Sequence, residues 1–397
     1  MSTAFSSKPS QSLIRPALKA LALVLACGYA MSAMATPAQL PLLTRSSTPA
    51  VPNVMFTLDD SGSMAWRYMP DSIGPTGNQR FEWVFHPGDN PGGSYTARPI
   101  TTRAATNNTG TDLMSARMRS PAYNTIYYNP EIRYQPWYNS DGSQLPNANP
   151  RAAWTNPNNR VDVSTAAART TAVNNGRAVR LINEDGTGEI TYTTSQLWCK
   201  SRNDGTANST AVDNGTALNC HNITGERFAP ATYYVHNGGN FTTAANFTRV
   251  RIAIDLPATD IPRGAGRTDC VQSGTGRSCT REQELQNFAN WFTYYRTRLF
   301  LSIAATSRSF SEQGTELRVG YGLINQPATV VDGVSTRTVV RGVRNFQGAD
   351  RTAFFNWLHS APANGGTPLR RAMDDVGQYF SRADNRGPWG NTPGTDD

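Results

Sequence analysis

Three oxygen-bearing side chains within five residues, Asp59, Ser61 and Ser63, are the strongest chemical signal in the sequence. They directly follow the mostly apolar run 54–58, which is typical of a buried strand in a parallel sheet. A loop at the end of such a strand can turn all three side chains toward one point, and Gly62 permits the tight turn. One carboxylate with two hydroxyls suits a hard divalent cation, with Mg²⁺ favoured over Ca²⁺ or Mn²⁺. The ion would be only partly neutralised and would attract a carboxylate from a partner.

The elements that must position this loop are predicted from periodicity. From residue 281, apolar residues between Leu285 and Ile303 step by three or four positions, which predicts one long amphipathic helix. Residues 317–324 predict a second strand, expected to pair in parallel with 54–58. The further predicted elements are a hairpin over 329–343 centred on Asp332-Gly333, a short helix around 354–358, and a helix from Pro368 to about Phe380. This alternation predicts an α/β sheet with helices on both faces.

The first 35 residues have the composition of a secretory signal peptide. They contain three Lys or Arg residues, no Asp or Glu, and a short apolar run that leads to Ala33-Met34-Ala35. Cleavage after Ala35 is expected, and residues 24–27 leave a lipoprotein cleavage site as the alternative. No later segment is apolar enough to span a bilayer. We therefore expect an exported chain, in the periplasm and at the cell surface, with no transmembrane segment after the signal peptide.

Residues 65–280 predict a large loop-rich insertion with some β structure. Asn, Thr, Gly, Pro and Arg dominate, and isolated strand candidates lie at 189–192 and 250–254. The four cysteines beyond the signal peptide lie in this segment, and an even number in an exported chain suggests disulfides. Nearest-neighbour pairing joins Cys199 to Cys220 and Cys270 to Cys279, although three arrangements are open. The alternative of a zinc site lacks a C-x-x-C or a nearby pair of histidines.

Charge and side-chain chemistry narrow the function classes. The formal net charge is +8, and removal of the three signal-peptide cations leaves +5. The excess is spread out, with no run of Lys and Arg that would mark a nucleic-acid-binding arm. A phosphatase-like site would need a second acid where Ser61 stands, and no neighbouring Lys or His offers acid–base help. A binding protein is therefore favoured over an enzyme, and the remaining alternative is a structural protein in which the Asp59 loop is only a polar turn.

Residues 58–64 resemble the metal-ion-dependent adhesion site of von Willebrand factor type A domains. In that family the first Asp and both Ser of D-x-S-x-S bind the metal, so the resemblance implies that Asp59, Ser61 and Ser63 are ligands. The family adds a Thr from a later loop. Residues 364–369 match that loop, which makes Thr367 the fourth candidate.

The family's last metal ligand is an Asp at the end of a further apolar strand. Here Asp396 and Asp397 follow the segment 388–394, which has no strand pattern. The expectation is that the chain stops inside the domain and that its C-terminal part is missing. The resemblance implies a Rossmann-like α/β fold for the domain.

A closer resemblance is to the N-terminal region of PilY-type tip proteins of type IV pili. It rests on the large insertion, the aromatic stretch 285–310, and the motifs NTIYYNP at 124–130 and GGTPLRRA at 365–372, and it covers most of residues 51–397. It implies a place at the pilus tip, roles in pilus assembly and adhesion, and contact with minor pilins. Host or surface proteins that present an acidic residue are the other expected ligands.

These observations divide the chain into five segments: a signal peptide at 1–35, a linker at 36–50, the first strand and metal loop of a von Willebrand type A domain at 51–64, the insertion at 65–280, and the incomplete remainder of that domain at 281–397. The expected function is metal-dependent binding of partner proteins at the pilus, without catalysis and without nucleic acid. The alternative is a secreted von Willebrand type A adhesin unrelated to pili.

Overall fold

The computed structural model describes residues 51–73, 113–191, 197–199, 220–222 and 227–389, and from Pro52 onward these belong to one compact unit. The predicted signal peptide, the linker and the two C-terminal aspartates lie outside the described residues. The strands are β1 (Asn53–Leu58), β2 (Ala153–Trp154), β3 (Ala178–Val179), β4 (Ile190–Thr191), β5 (Leu197–Cys199), β6 (Cys220–Asn222), β7 (Arg227–Phe228), β8 (Thr232–His236), β9 (Phe247–Arg251), β10 (Ile261–Arg263), β11 (Val271–Ser273), β12 (Gly276–Cys279), β13 (Arg318–Leu323), β14 (Thr329–Val331), β15 (Val334–Thr336) and β16 (Val339–Asn345). The α-helices are α1 (Leu113–Met118), α2 (Ala166–Asn174), α3 (Ile252–Asp255), α4 (Arg281–Tyr294), α5 (Arg298–Ser311), α6 (Gly348–Ser360) and α7 (Leu369–Phe380).

A three-stranded sheet in the order β1-β13-β16 carries the candidate site. Strands β1 and β13 run parallel, with Asn53 opposite Arg318 and Leu58 opposite Leu323, and β16 is antiparallel to β13. The predicted parallel pairing of these two chain segments is confirmed. Because β1 and β13 point the same way, the loops that follow them leave the sheet at the same edge.

Helices cover both faces of this sheet. On one face, buried residues of α5 and α6 join the strands in a hydrophobic cluster that contains Leu58, Leu299, Ile303, Val319, Tyr321, Leu323, Phe354 and Leu358. On the other face, Tyr379 of α7 packs against Val339 and Val343 of β16, with Met55 of β1 against them. Since successive strand residues point to opposite faces, Met55 and Leu58 mark the two sides. The described part of the chain is thus mixed α/β.

The single long helix predicted between Leu285 and Ile303 is wrong, because the chain forms two helices there. Helix α4 ends at Tyr294, and Tyr295 leaves the helical region with φ −135°. The side chain of Thr297 then caps α5 by accepting a hydrogen bond from the Phe300 amide at 3.1 Å. The apolar spacing runs through the break unchanged, so periodicity does not reveal it; the cap residue is the signal that does.

The shorter predicted elements had mixed outcomes. The hairpin is confirmed: β14 and β15 are joined by Asp332 and Gly333, whose φ values of 52° and 76° are those of a primed turn. The strand predicted at 189–192 is present at Ile190 and Thr191 as β4, and residue 192 lies outside the described residues. The strand predicted at 250–254 is wrong in its second half, because β9 ends at Arg251 and the next four residues form α3.

The described part of the insertion packs an aromatic core against α4. Its buried rings include Tyr127, Tyr128, Tyr134, Phe288 and Trp291. The ring centroids of Tyr127 and Trp291 lie 4.7 Å apart, and those of Tyr128 and Phe288 lie 4.8 Å apart. The tyrosines around position 130 therefore pack beneath loops and do not form an exposed patch. Helix α4 contributes to both cores: Phe288 and Trp291 pack in the core of the insertion, and Tyr294 packs in the core of the sheet.

One of the two disulfides expected from nearest-neighbour pairing is confirmed. Cys270 and Cys279 are bonded and close the small sheet β10-β12-β11. For the second pair, the strand register places Cys199 opposite Cys220 on β5 and β6. The bond between these two cysteines stays a prediction.

Candidate metal centre

The loop after β1 is shaped by its own hydrogen bonds. The Oδ1 atom of Asp59 accepts a bond from the backbone amide of Ser61 at 2.8 Å, and a 3₁₀ turn follows over Gly62–Ala65. This local bond holds the carboxylate at the end of the strand, since Asp readily accepts from an amide two residues on. Asp59 is half-buried, and the side chain of Ser61 is buried.

The two serine hydroxyls of this loop lie together. The Oγ atoms of Ser61 and Ser63 are 3.1 Å apart. Adjacent ligands of an octahedral cation with metal–oxygen bonds of about 2.1 Å are separated by about 3 Å. The spacing of the hydroxyls therefore fits two neighbouring positions around one ion of the size of Mg²⁺.

A second loop, between α6 and α7, is tied to the first through the backbone. The amide of Asn364 donates to the carbonyl of Asp60 at 2.7 Å, and the amide of Gly62 donates to the carbonyl of Gly365 at 3.1 Å. Thr367 lies two residues beyond Gly365 and is exposed. The structure thus joins the loop of Asp59, Ser61 and Ser63 to the loop that carries Thr367.

Two residues that the sequence analysis did not single out hold the loops together. The backbone amide of Asn325 donates to Oδ1 of Asp60 at 3.0 Å, and its side-chain amide donates to the carbonyls of Asn364, at 3.0 Å, and Gly366. Burial raises the pKa of Asp60, and the bond from the Asn325 amide opposes that rise. A sequence signal existed: Asn325 directly follows the second predicted strand, at the edge where loops of parallel strands meet.

The chemistry of this edge is that of hard oxygen donors. Among the described residues, no group of three or more His, Cys, Asp or Glu side chains is placed to hold a metal ion. A cation here would take Asp59 as its anionic ligand and the hydroxyls as neutral ones. Ser61, Ser63 and Thr367 then leave coordination positions for an outside oxygen, because divalent cations of this class take six or more ligands.

Comparison with known proteins points to one group of relatives. The chain is 25% identical over 347 residues, 87% of its length, to the type IV pilus biogenesis factor PilY1 of Pseudomonas aeruginosa strain PAK. It is 27% identical over 360 residues, 89% of its length, to the PilY1 of strain UCBPP-PA14. The chain spans only 22% of the length of these relatives. No family model and no solved structure matches it.

Within the described residues, no helix has the length and apolar character needed to cross a membrane. The resemblance inferred from the sequence motifs is confirmed as a distant one: the chain is similar at 25–27% identity to these pilus biogenesis factors.

Proposed function

We propose that the chain is an exported component of type IV pilus assembly and adhesion that acts at the pilus tip. It binds partner proteins through a divalent cation, with Mg²⁺ favoured, held by Asp59, Ser61, Ser63 and Thr367. The partners are minor pilins, or host or surface proteins that present an acidic residue. Similarity to three pilus biogenesis factors supports the pilus role, and the predicted signal peptide supports export.

The observation that carries the metal-binding part of this proposal is the joining of two loops at one edge of the sheet. Asn364 and Gly365 bond to Asp60 and Gly62. This brings the chain segments of all four candidate ligands to the carboxyl ends of β1 and β13, where ligands bind in open α/β sheets. A parallel strand pair with helices on both faces also supports a von Willebrand type A architecture for this part of the chain.

In this proposal each part of the site has one task. The bound cation supplies a positive centre that accepts a carboxylate of the partner. Asp59 provides the main electrostatic attraction for the ion, because it is the only anion among the four side chains. The Ser61 amide fixes the orientation of that carboxylate, and Asn325 holds the Thr367 loop against it. The protein needs no general acid or base for this task.

The test is Asp59→Ala, read by manganese binding and by function. Free Mn²⁺ gives an electron paramagnetic resonance signal that bound Mn²⁺ loses, so titration measures the site directly. We expect the variant to lose Mn²⁺ binding, to lose magnesium-dependent binding of purified minor pilins, and to fail to restore twitching in a deletion strain.

A matched control is available in the insertion. Asp141 makes the same turn as Asp59, accepting a hydrogen bond from the Ser143 amide at 2.9 Å within the exposed sequence Asp141-Gly142-Ser143. We expect Asp141→Ala to bind Mn²⁺ and pilins like the wild type. If folded Asp59→Ala binds pilins as tightly as the wild type, with or without chelator, the Asp59 loop is only a turn and the proposal is wrong.

A further inference from the structure

The helix that begins beside Thr367 exposes large apolar side chains. Leu369 is 54% exposed and Met373 is 70% exposed. They are four residues apart and therefore lie on the same side of α7. A neighbouring side of α7 is buried: it includes Ala372 and also Tyr379, which packs against the sheet. Two neighbouring exposed apolar residues beside a candidate binding site are informative, whereas a single one would not be.

The same end of α7 is cationic. An open depression there is lined by Thr367, Pro368, Leu369, Arg370 and Arg371. Arg371 donates to the carbonyl of Ile324 at 3.1 Å, which holds its side chain at the end of β13. Arg370 is exposed, and the structure gives it no ion-pair partner among the described residues. The nearest acid along the helix, Asp374, instead accepts a hydrogen bond from Gln378 at 2.8 Å.

We infer that this surface, formed by Leu369, Arg370 and Met373, reads the residues next to the partner's metal-bound carboxylate. The occupant is an acidic segment of a partner protein, because the depression offers positive charge and no acid among its lining residues. An apolar side chain of that segment packs on Leu369 and Met373, and a second acidic group pairs with Arg370. The inference rests on the proposed function and adds the partner's local sequence to it.

The experiment uses a random heptapeptide library with one fixed central Asp, passed over the immobilised chain in magnesium. We expect the wild type to enrich peptides with an apolar residue within two positions of the Asp and with a second acid. The double variant Leu369→Ser, Met373→Ser should lose the apolar preference by about tenfold, which is what one apolar contact contributes to discrimination. Arg370→Ser should lose the preference for the second acid.

Controls separate this surface from the metal. Val330 on β14 is 68% exposed, so Val330→Ser removes an equally exposed apolar residue elsewhere and should enrich the same peptides as the wild type. Asp59→Ala should retain no peptide. If the double variant keeps the wild-type preferences while Asp59→Ala retains nothing, the inference is overturned and the metal-dependent function stands.

The same experiment also shows whether the metal-dependent function fails. If chelation and Asp59→Ala leave peptide retention unchanged while the double variant loses it, the apolar surface binds without a metal and the proposed function fails. If the wild type retains no peptide, the inference is overturned. Light scattering then shows whether a second copy of the chain covers the surface, since the double variant would be more monomeric than the wild type.

Discussion

The sheet and the insertion are two regions built by different means. In the sheet, backbone pairing of β1, β13 and β16 supplies the frame, and apolar side chains fill the space to the helices. In the described part of the insertion most strands have two to four residues, and side chains of α4 form hydrogen bonds to the backbone of the loops. The amide of Asn290 accepts from the Ala148 backbone at 3.0 Å and donates to the Tyr134 carbonyl at 3.1 Å. Loops can thus be ordered where little sheet exists, provided that a helix offers buried amides.

The insertion also differs in what it buries. Glu284 of α4 and Arg267 are completely buried and paired, and Arg263 reaches the same carboxylate at 2.9 Å. Apolar and aromatic side chains such as Val319, Tyr321 and Phe354 fill the core of the sheet. A buried ion pair is weak evidence for stability but holds its partners in one arrangement when each is satisfied. We interpret the insertion as a region whose conformation depends on specific polar contacts.

The largest expected effect tests whether the two regions unfold together. Trp291 is 1% exposed, packs with its ring tilted against Tyr127 and donates from its indole to the Ile126 carbonyl at 2.9 Å. Trp291→Ala should lower the free energy of unfolding by about 4 kcal/mol, the usual cost of removing such a ring. Hydrogen exchange should increase over 124–138 and much less over β1 and β13.

The matched change in the sheet is Phe354→Ala, since Phe354 is fully buried in the other core. We expect a similar loss of stability, of about 3–4 kcal/mol, with faster exchange in β13. If both variants loosen both regions equally, the insertion and the sheet are one cooperative unit and the contrast between them concerns contacts only.

Sequence reasoning worked where periodicity carries the information. Residues 54–58 and 317–324 gave the parallel pair, and Asp332-Gly333 gave the hairpin, because strand alternation and turn chemistry are local. It failed at Tyr295, where apolar spacing continues through a helix break. It also could not assign partners inside the insertion, since the contacts of Asn290 join residues more than 140 positions apart and leave no periodic trace.

The sheet and the insertion meet at the buried side chain of His359. His359 of α6 contacts the Tyr138 carbonyl at 3.1 Å and packs against Trp137. Burial lowers the pKa of His359 from 6.5 to about 4. The unfolded chain therefore takes up this proton more readily than the folded one between those values. The neutral imidazole therefore contributes to the free energy of unfolding. This contribution is fully present above about pH 6.5 and is lost as the pH falls toward 4, by about 3 kcal/mol in total.

The measurement compares wild type and His359→Gln by urea unfolding from pH 7 to pH 4. The variant keeps a hydrogen-bond donor but does not titrate, so the stability difference between the two proteins should change in the variant's favour as the pH falls. A difference that stays constant across this range would mean that the imidazole charges as easily in the folded chain as in the unfolded one. The joint between the regions would then be open to water.

The candidate site was predictable in part for a similar reason. Asp59, Ser61 and Ser63 are close in sequence, so their common loop follows from local chemistry. Asn325 and Asp60 were missed because their role is to join two loops, and that role depends on tertiary structure. The sequence also offered no measure of how tightly the Thr367 loop is held.

The smallest expected effect tests how the Thr367 loop is held by Asn325, through the addition of one methyl group at Gly365. Gly365 has φ +79°, and a Cβ atom there would lie 2.6 Å from Nδ2 of Asn325, whose side chain bonds to both flanking carbonyls. Gly365→Ala should therefore lower the free energy of unfolding by about 1–2 kcal/mol, because the left-handed conformation is unfavourable for alanine. It should also weaken Mn²⁺ binding severalfold by displacing Asn325 and loosening the Thr367 loop.

The neighbouring Gly366 is the control, since a Cβ atom there meets nothing within 4 Å. Gly366→Ala should bind Mn²⁺ like the wild type. Equal Mn²⁺ affinity in the two variants would show that the site does not depend on how the second loop is held, and would leave the Asp59 loop as its only determinant.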